Sequence, residues 1–137
     1  MRITNSTSPI DIAVSGIRAQ NKSIEVISSN VANSRTLDAG NGQPYRKLDA
    51  MLRVDDSNGD GIGGVQIEDL LPSQSDFPRV LDPGNPKADA QGYISMPNVD
   101  IPTEMMNLNI ASRAYQANAA VLKRYQNMVE VSLELLR

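Results

Sequence analysis

The sequence predicts an α+β fold in which long N- and C-terminal helices pair as a coiled coil, with a small β-rich middle region between them. Three observations carry that expectation. Apolar residues recur every seven positions near both ends of the 137-residue chain, the signature of a helix seam. The middle alternates apolar and polar residues between clusters of Gly, Pro, Asn and Asp, the signature of short strands and turns. Aromatic content is only 4%, with one Phe and no Trp, which is little ring volume for a thick core. The chain divides accordingly into an N-terminal helical segment (1–37), a β-rich middle (38–100) and a C-terminal helix (101–137).

The first helix is expected over about residues 9–32. Ser8-Pro9-Ile10-Asp11 supplies a capping hydroxyl, a proline suited to the first turn and an acid placed to close a capping box. Ile10, Ile17, Ile24 and Val31 then recur every seven residues, with Val14 and Ile27 between them, giving a narrow apolar stripe. Asn30 and Asn33 suit the helix end, because asparagine tolerates the left-handed backbone of a C-terminal cap.

Residues 38–44 are rich in breakers and form a loop. Over 46–54, Leu48, Ala50, Leu52 and Val54 fall on one face of a strand. Asp55 to Gly64 reads as a turn, and Val65 to Leu70 as a second strand ended by Pro72. Phe77 to Leu81 is a short third strand. Asp82-Pro83-Gly84-Asn85-Pro86 forbids regular pairing and makes a tight turn. Gly92 to Met96 is short and extended.

The second helix is expected over 102–136, capped by Asp100 or Thr103, with Pro102 in its first turn. Ile101, Leu108, Tyr115, Leu122, Val129 and Leu136 are spaced by seven, and Met105, Ser112, Ala119, Gln126 and Leu133 follow each four residues on. Such a helix is about 50 Å long at ~1.5 Å per residue. No small middle region covers a stripe of that length, so a second helix must, and the N-terminal stripe has the same period. Ala111, Ala114, Ala117, Ala119 and Ala120 make its centre thin, which permits close approach of a neighbour.

Composition excludes several functions. The chain has no Cys and no His, which removes disulfides, thiolate zinc sites, Cys nucleophiles and the commonest general base and metal ligand. Residues 1–37 carry four basic and two acidic groups, residues 38–100 five and eleven, and residues 101–137 four and three. The ends are near neutral and the middle is acidic, the pattern of a solvated face. No Lys/Arg cluster exists to hold a phosphate backbone, so nucleic acid is not an expected partner. The N-terminus has no apolar core followed by a small-residue cleavage site, so no cleaved signal peptide is expected.

Two motifs have residues suited to chemistry. Asp56-Ser57-Asn58-Gly59-Asp60-Gly61 matches the first half of an EF-hand loop. Its twelfth position is Ile67, with Glu68 one residue late, and strands flank it, so a polar hairpin turn is the better reading. Gly61-Ile62-Gly63-Gly64 lacks the Lys and the strand-to-helix setting of a phosphate loop. No catalytic residue, cofactor, metal site or small-molecule substrate is expected, and the chain is not expected to be an enzyme.

Ser28-Ser29-Asn30-Val31-Ala32-Asn33-Ser34-Arg35-Thr36 resembles the Asn-rich motif after the first helix of flagellar rod and hook proteins. Phe77-Pro78-Arg79-Val80-Leu81-Asp82-Pro83-Gly84-Asn85-Pro86-Lys87-Ala88-Asp89, Gly92-Tyr93-Ile94, Pro97-Asn98-Val99-Asp100-Ile101 and Ser112-Arg113-Ala114-Tyr115-Gln116-Ala117-Asn118 narrow the likeness to the proximal-rod branch of the flagellar axial protein family. The chain departs from that family in its Asp/Gly-rich stretch from Asp55 to Gly64. It also lacks the aromatic found near the start of many exported axial proteins, which leaves Ile10 and Val14 as the residues an export gate would read.

The resemblance implies a structural subunit of the bacterial flagellar basal body. Such a subunit is exported unfolded through the flagellar type III apparatus without signal cleavage. It assembles in the periplasm into the hollow rod that transmits torque and passes exported subunits. The implied partners are the chain itself, proximal-rod neighbours, the export-gate adaptor and the distal rod. In the family the terminal helices pair and pack around the central channel, with the middle outside. On that reading Ile10, Ile17, Ile24, Val31, Leu108, Tyr115, Leu122, Val129 and Leu136 form the helix seam and assembly surface. Asn30, Asn33, Arg113, Gln116 and Asn118 supply polar subunit contacts.

Overall fold

The computed structural model describes residues 8–55 and 63–136. The Asp56–Gly61 stretch therefore lies outside the described residues. The element order is α1 (Pro9–Ala32), β1 (Leu48–Asp55), β2 (Gly64–Pro72), β3 (Arg79–Leu81), β4 (Tyr93–Ser95) and α2 (Ile101–Glu134). This is an α+β arrangement of two long helices and two small antiparallel sheets.

The start of α1 is fixed locally. The Ile10 backbone N–H donates to Ser8 Oγ at 3.3 Å, and the Ser8 N–H donates to Asp11 Oδ2 at 3.2 Å, closing the capping box. Its end differs from the expectation of a left-handed asparagine. Asn33 has φ −97°, and its side-chain amide reaches back to the Ser29 carbonyl at 2.9 Å. A side chain that satisfies an end carbonyl removes the need for the left-handed turn. Asn30 lies inside the helix and is buried. At the start of α2, Asp100 caps Thr103 through both its backbone N–H and its hydroxyl.

β1 and β2 pair antiparallel with a shift of register between Met51 and Leu52. Met51 faces Asp69 and Leu52 faces Ile67, so Glu68 is the extra residue of a β-bulge. The extra residue lies in β2, so β1 keeps its alternation, and Leu48, Ala50 and Leu52 line one groove; burial, however, falls off along the strand. Leu48 and Ala50 are half-buried, whereas Leu52 and Val54 are exposed. β3 pairs with β4, joining the segment Arg79–Leu81 to Tyr93–Ser95. The intervening turn closes through Asn85 N–H to the Asp82 carbonyl at 3.1 Å and through Gly92, whose φ of +83° favours glycine.

The helices run antiparallel, since Gly16 meets Asn118 and Asn30 meets Glu104. The β1–β2 hairpin rests on one side of α1, where the Val65 N–H donates to Ser15 Oγ at 3.0 Å. Among the described residues the buried apolar set is Ala13, Ala19, Val26, Ile94 and Ala111. Four of these five are Ala or Val, so little apolar area is withdrawn from water. No described helix is long and apolar enough to cross a membrane.

Candidate assembly surface

The line of contact between the helices is made of small and polar residues. α1 buries Ala13, Gly16, Ala19, Val26 and Asn30, and α2 buries Glu104 and Ala111. A Cβ built on Gly16 would lie 2.6 Å from Asn118 Nδ2, so the helices approach where the glycine has no side chain. Bulky β-branched residues on this line would hold the axes apart. Most of the predicted seam residues accordingly flank it, while Leu122 and Val129, about five turns on from Glu104 and Ala111, continue its direction along α2. Ile10, Ile17, Ile24, Val31, Leu108 and Leu122 are half-buried, Tyr115 and Val129 are exposed, and Leu136 is 85% exposed.

Those flanking residues share one side of the pair. At 3.6 residues per turn, Ile17 and Ile24 stand roughly half a turn around α1 from Ser15 and Val26, which face the hairpin. Ile10 lines one groove with Tyr125, Gln126, Val129 and Leu133 of α2. Leu108 and Tyr115 precede Gln126 and Leu133 by about five whole turns and therefore look the same way. The result is a two-helix apolar face directed away from the hairpin. A second line on α2, missing from the sequence reading, carries Met106, Ile110, Val121, Met128 and Leu135, all exposed. Its spacing of four and then seven or eleven residues is helical, but alanines and Arg124 interrupt it in the sequence.

The predicted polar contacts divide. Arg113 and Gln116 are exposed and line a surface groove with Met105 and Leu108. Asn33 is half-buried and engaged with Ser29 and Thr36. Asn118 is half-buried against Gly16. Asn30 is 1% exposed and is used wholly inside the chain. Its amide donates to the Leu48 carbonyl at 2.9 Å and to Glu104 Oε2 at 3.1 Å, while its oxygen accepts from the Leu48 N–H and the Tyr45 hydroxyl, each at 3.0 Å. With both amide hydrogens and both lone pairs engaged, it has nothing left for another subunit. Within the chain Asn30 thus ties α1 to Glu104 of α2, to Leu48 of β1 and to Tyr45.

Sequence reasoning missed Glu104 and Lys47. Glu104 is 1% exposed, and Lys47 Nζ lies 3.0 Å from its Oε1 and 3.2 Å from Asp49 Oδ1. Burial alone would lower the Lys47 pKa, but the contacts with Glu104 and Asp49 outweigh it and hold the ammonium above its ordinary value. The only signal in the sequence was position, since Glu104, Ala111 and Asn118 are spaced by seven. Elsewhere in the middle, Arg46 stacks over Phe77 at 4.2 Å and donates to the Ser73 and Ser75 carbonyls. Lys87 pairs with Asp38 at 2.6 Å. That contact, with the Gly40 and Gly42 N–H groups, lowers the Asp38 pKa to about 2.

Among the described residues there is no group of three or more acidic side chains placed to hold a metal ion. The family model described as "Flagellar basal body rod FlgEFG protein C-terminal" matches residues 90–135. The flagellar basal-body rod protein FlgC of Salmonella typhimurium is 44% identical over 125 residues, covering 91% of this chain and 93% of that protein. FlgC of Escherichia coli O157:H7 is 43% identical over the same shares. FlgC of Agrobacterium fabrum is 34% identical over 127 residues, covering 92% of this chain and 91% of its own. With near full-length likeness to these relatives at 34–44% identity, the chain belongs to the flagellar basal-body rod protein FlgC family.

Proposed function

We propose that this subunit assembles through the apolar face of its helix pair, the side carrying Ile10, Ile17, Ile24, Val31, Leu108, Tyr115, Leu122 and Val129. Family membership makes it a structural subunit of the flagellar basal-body rod and not an enzyme. The finer reading is a hollow drive shaft in the periplasm, entered through the type III export apparatus without signal cleavage. Its neighbours are further copies, other proximal-rod proteins, the export-gate adaptor and the distal rod. Within it the terminal helices act as a coiled coil, Leu136 extends the seam, and Arg113, Gln116 and Asn33 meet neighbouring subunits.

One observation carries the reading: large apolar side chains stay in water on a chain whose own core is small. Tyr115, Val129 and Leu133 on this face are exposed, as are Met106, Ile110 and Met128 elsewhere on α2, and contiguous apolar side chains left in water mark an interface. Sedimentation of the full-length chain across concentration, with circular dichroism alongside, tests it. Particles that grow with concentration while helix content rises support assembly through the helices. A fully helical monomer that ignores concentration overturns it.

A further inference from the structure

The two largest fully buried side chains among the described residues are both polar, Asn30 and Glu104, each 1% exposed. They meet at 3.1 Å across the helix pair, and Lys47 closes the cluster from the segment before β1 at 3.0 Å. We propose that Glu104 determines the register in which α1 and α2 pair. This goes beyond assembly, because it concerns a choice made within one chain.

The small residues at the seam cannot make that choice. Gly16 lies opposite Asn118 and Asn30 opposite Glu104, while Ser23 and Ala111 line one groove between them. The positions step by seven on both helices. Sliding one helix by one step, about 10.5 Å at 1.5 Å per residue, again sets small or uncharged residues against each other. The apolar contacts hardly change, because so few are large. The carboxylate does change. With Ser23 opposite Asn118, Asn30 would face Ala111, and Glu104 would lie past the end of α1 at Ala32. It would lose its amide donor, and Asn30 would be buried with an unmade hydrogen bond. A buried polar group that is satisfied in one alignment and orphaned in the next selects alignment more than it adds stability. A slipped pair would also break the apolar face into two halves displaced along the axis.

The chain has no Cys, so introduced thiols report the alignment cleanly. The native pair is Ser23→Cys with Ala111→Cys, and the slipped pair is Ser23→Cys with Asn118→Cys. Each is placed in the full-length chain, under conditions where circular dichroism shows helix, and treated with a short thiol–thiol cross-linker. The wild-type background is expected to cross-link the native pair at least tenfold more than the slipped pair. In Glu104→Leu that ratio falls at least tenfold with helicity retained, whereas Glu104→Gln, which keeps a partner for Asn30, holds it. The double variant Asn30→Leu/Glu104→Leu guards against simple misfolding and also loses the preference while remaining helical. An unchanged ratio in Glu104→Leu overturns the proposal. So does loss of helix in both leucine variants, which would make Glu104 a stability residue. Concentration-dependent assembly is read separately by sedimentation, so either idea can fail without the other.

Discussion

Gly16 of α1 sits against the side-chain amide of Asn118 of α2, with 2.6 Å between Asn118 Nδ2 and the point where a Cβ would stand. Replacing Gly16 by Ala improves helix propensity by about 1 kcal/mol, but overpacking a tight contact costs about 1–3 kcal/mol. Gly16→Ala is expected to lose about 1 kcal/mol net in urea unfolding. Gly16→Ala/Asn118→Ala, which clears the contact, is expected to match or exceed the wild type. Equal destabilisation of single and double variants would show that the contact is not the cause.

Asn30 holds four hydrogen bonds. Asn30→Ala orphans the Leu48 backbone groups, the Tyr45 hydroxyl and one oxygen of Glu104. A loss of about 3–5 kcal/mol is expected, as for breaking a buried network. Asn30→Asp sets a second carboxylate beside Glu104 and is expected to be no milder at neutral pH. A loss under 1 kcal/mol in either variant would refute the network's importance.

Among the described residues the hydrogen bond from the Val65 N–H to Ser15 Oγ ties β2 to α1. Ser15→Ala is expected to cost about 1 kcal/mol and to speed hydrogen exchange at Val65 at least fivefold, with the amides at the centre of α1 unchanged. Unaltered exchange at Val65 would place the fastening elsewhere.

Ile17→Asp and Ile24→Asp lie on the half-buried apolar face, away from the hairpin. Each is expected to leave the middle region folded, judged by protected β1 and β2 amides, while abolishing concentration-dependent growth in sedimentation. Growth that persists with both substitutions combined would move the assembly face to the second line, Met106 to Leu135.

Asp38 has its folded pKa lowered to about 2 from 3.8, chiefly by Lys87. A depressed acid stabilises the fold above its unfolded pKa and loses that contribution as pH falls through the folded one. The stabilising contribution of the Lys87–Asp38 tie is therefore expected to be complete above about pH 4 and to be lost as pH falls from about 4 to 2, where Asp38 itself is half protonated. A carboxyl carbon titration by NMR reads the midpoint directly, and Lys87→Ala is expected to raise it toward the ordinary value. Lys47 has the opposite sign. Its raised pKa keeps its contribution intact below about 10.5 and lost only at higher pH.

Helix positions and the α1 capping box were legible because Ser8, Asp11, Pro9 and the seven-residue spacing are local signals. The face on which the helices meet was not. Ile10, Ile17, Ile24 and Val31 announce a stripe, but Ala13, Gly16, Ala19 and Ala111 carry no amphipathic signal, although they make the closest contact. The bulge at Glu68 escaped as well, since the alternation of 48–54 and 65–70 reads equally well without it. Asn30 and Glu104 are 74 residues apart, and no pattern within either helix links an asparagine near one end to a glutamate near the other.

The glycine and alanines between α1 and α2 also bear on the girth of anything built from this chain. Where wedges are ranged around an axis, the breadth of each fixes how many complete a turn. Helices that touch through backbone and methyl groups lie nearer the 8 Å end of the usual 8–10 Å spacing than helices separated by leucines. A slimmer wedge lets more copies share a circumference, or the same number enclose a narrower bore. In an assembly of that kind Gly16 would bear on diameter as well as on fit.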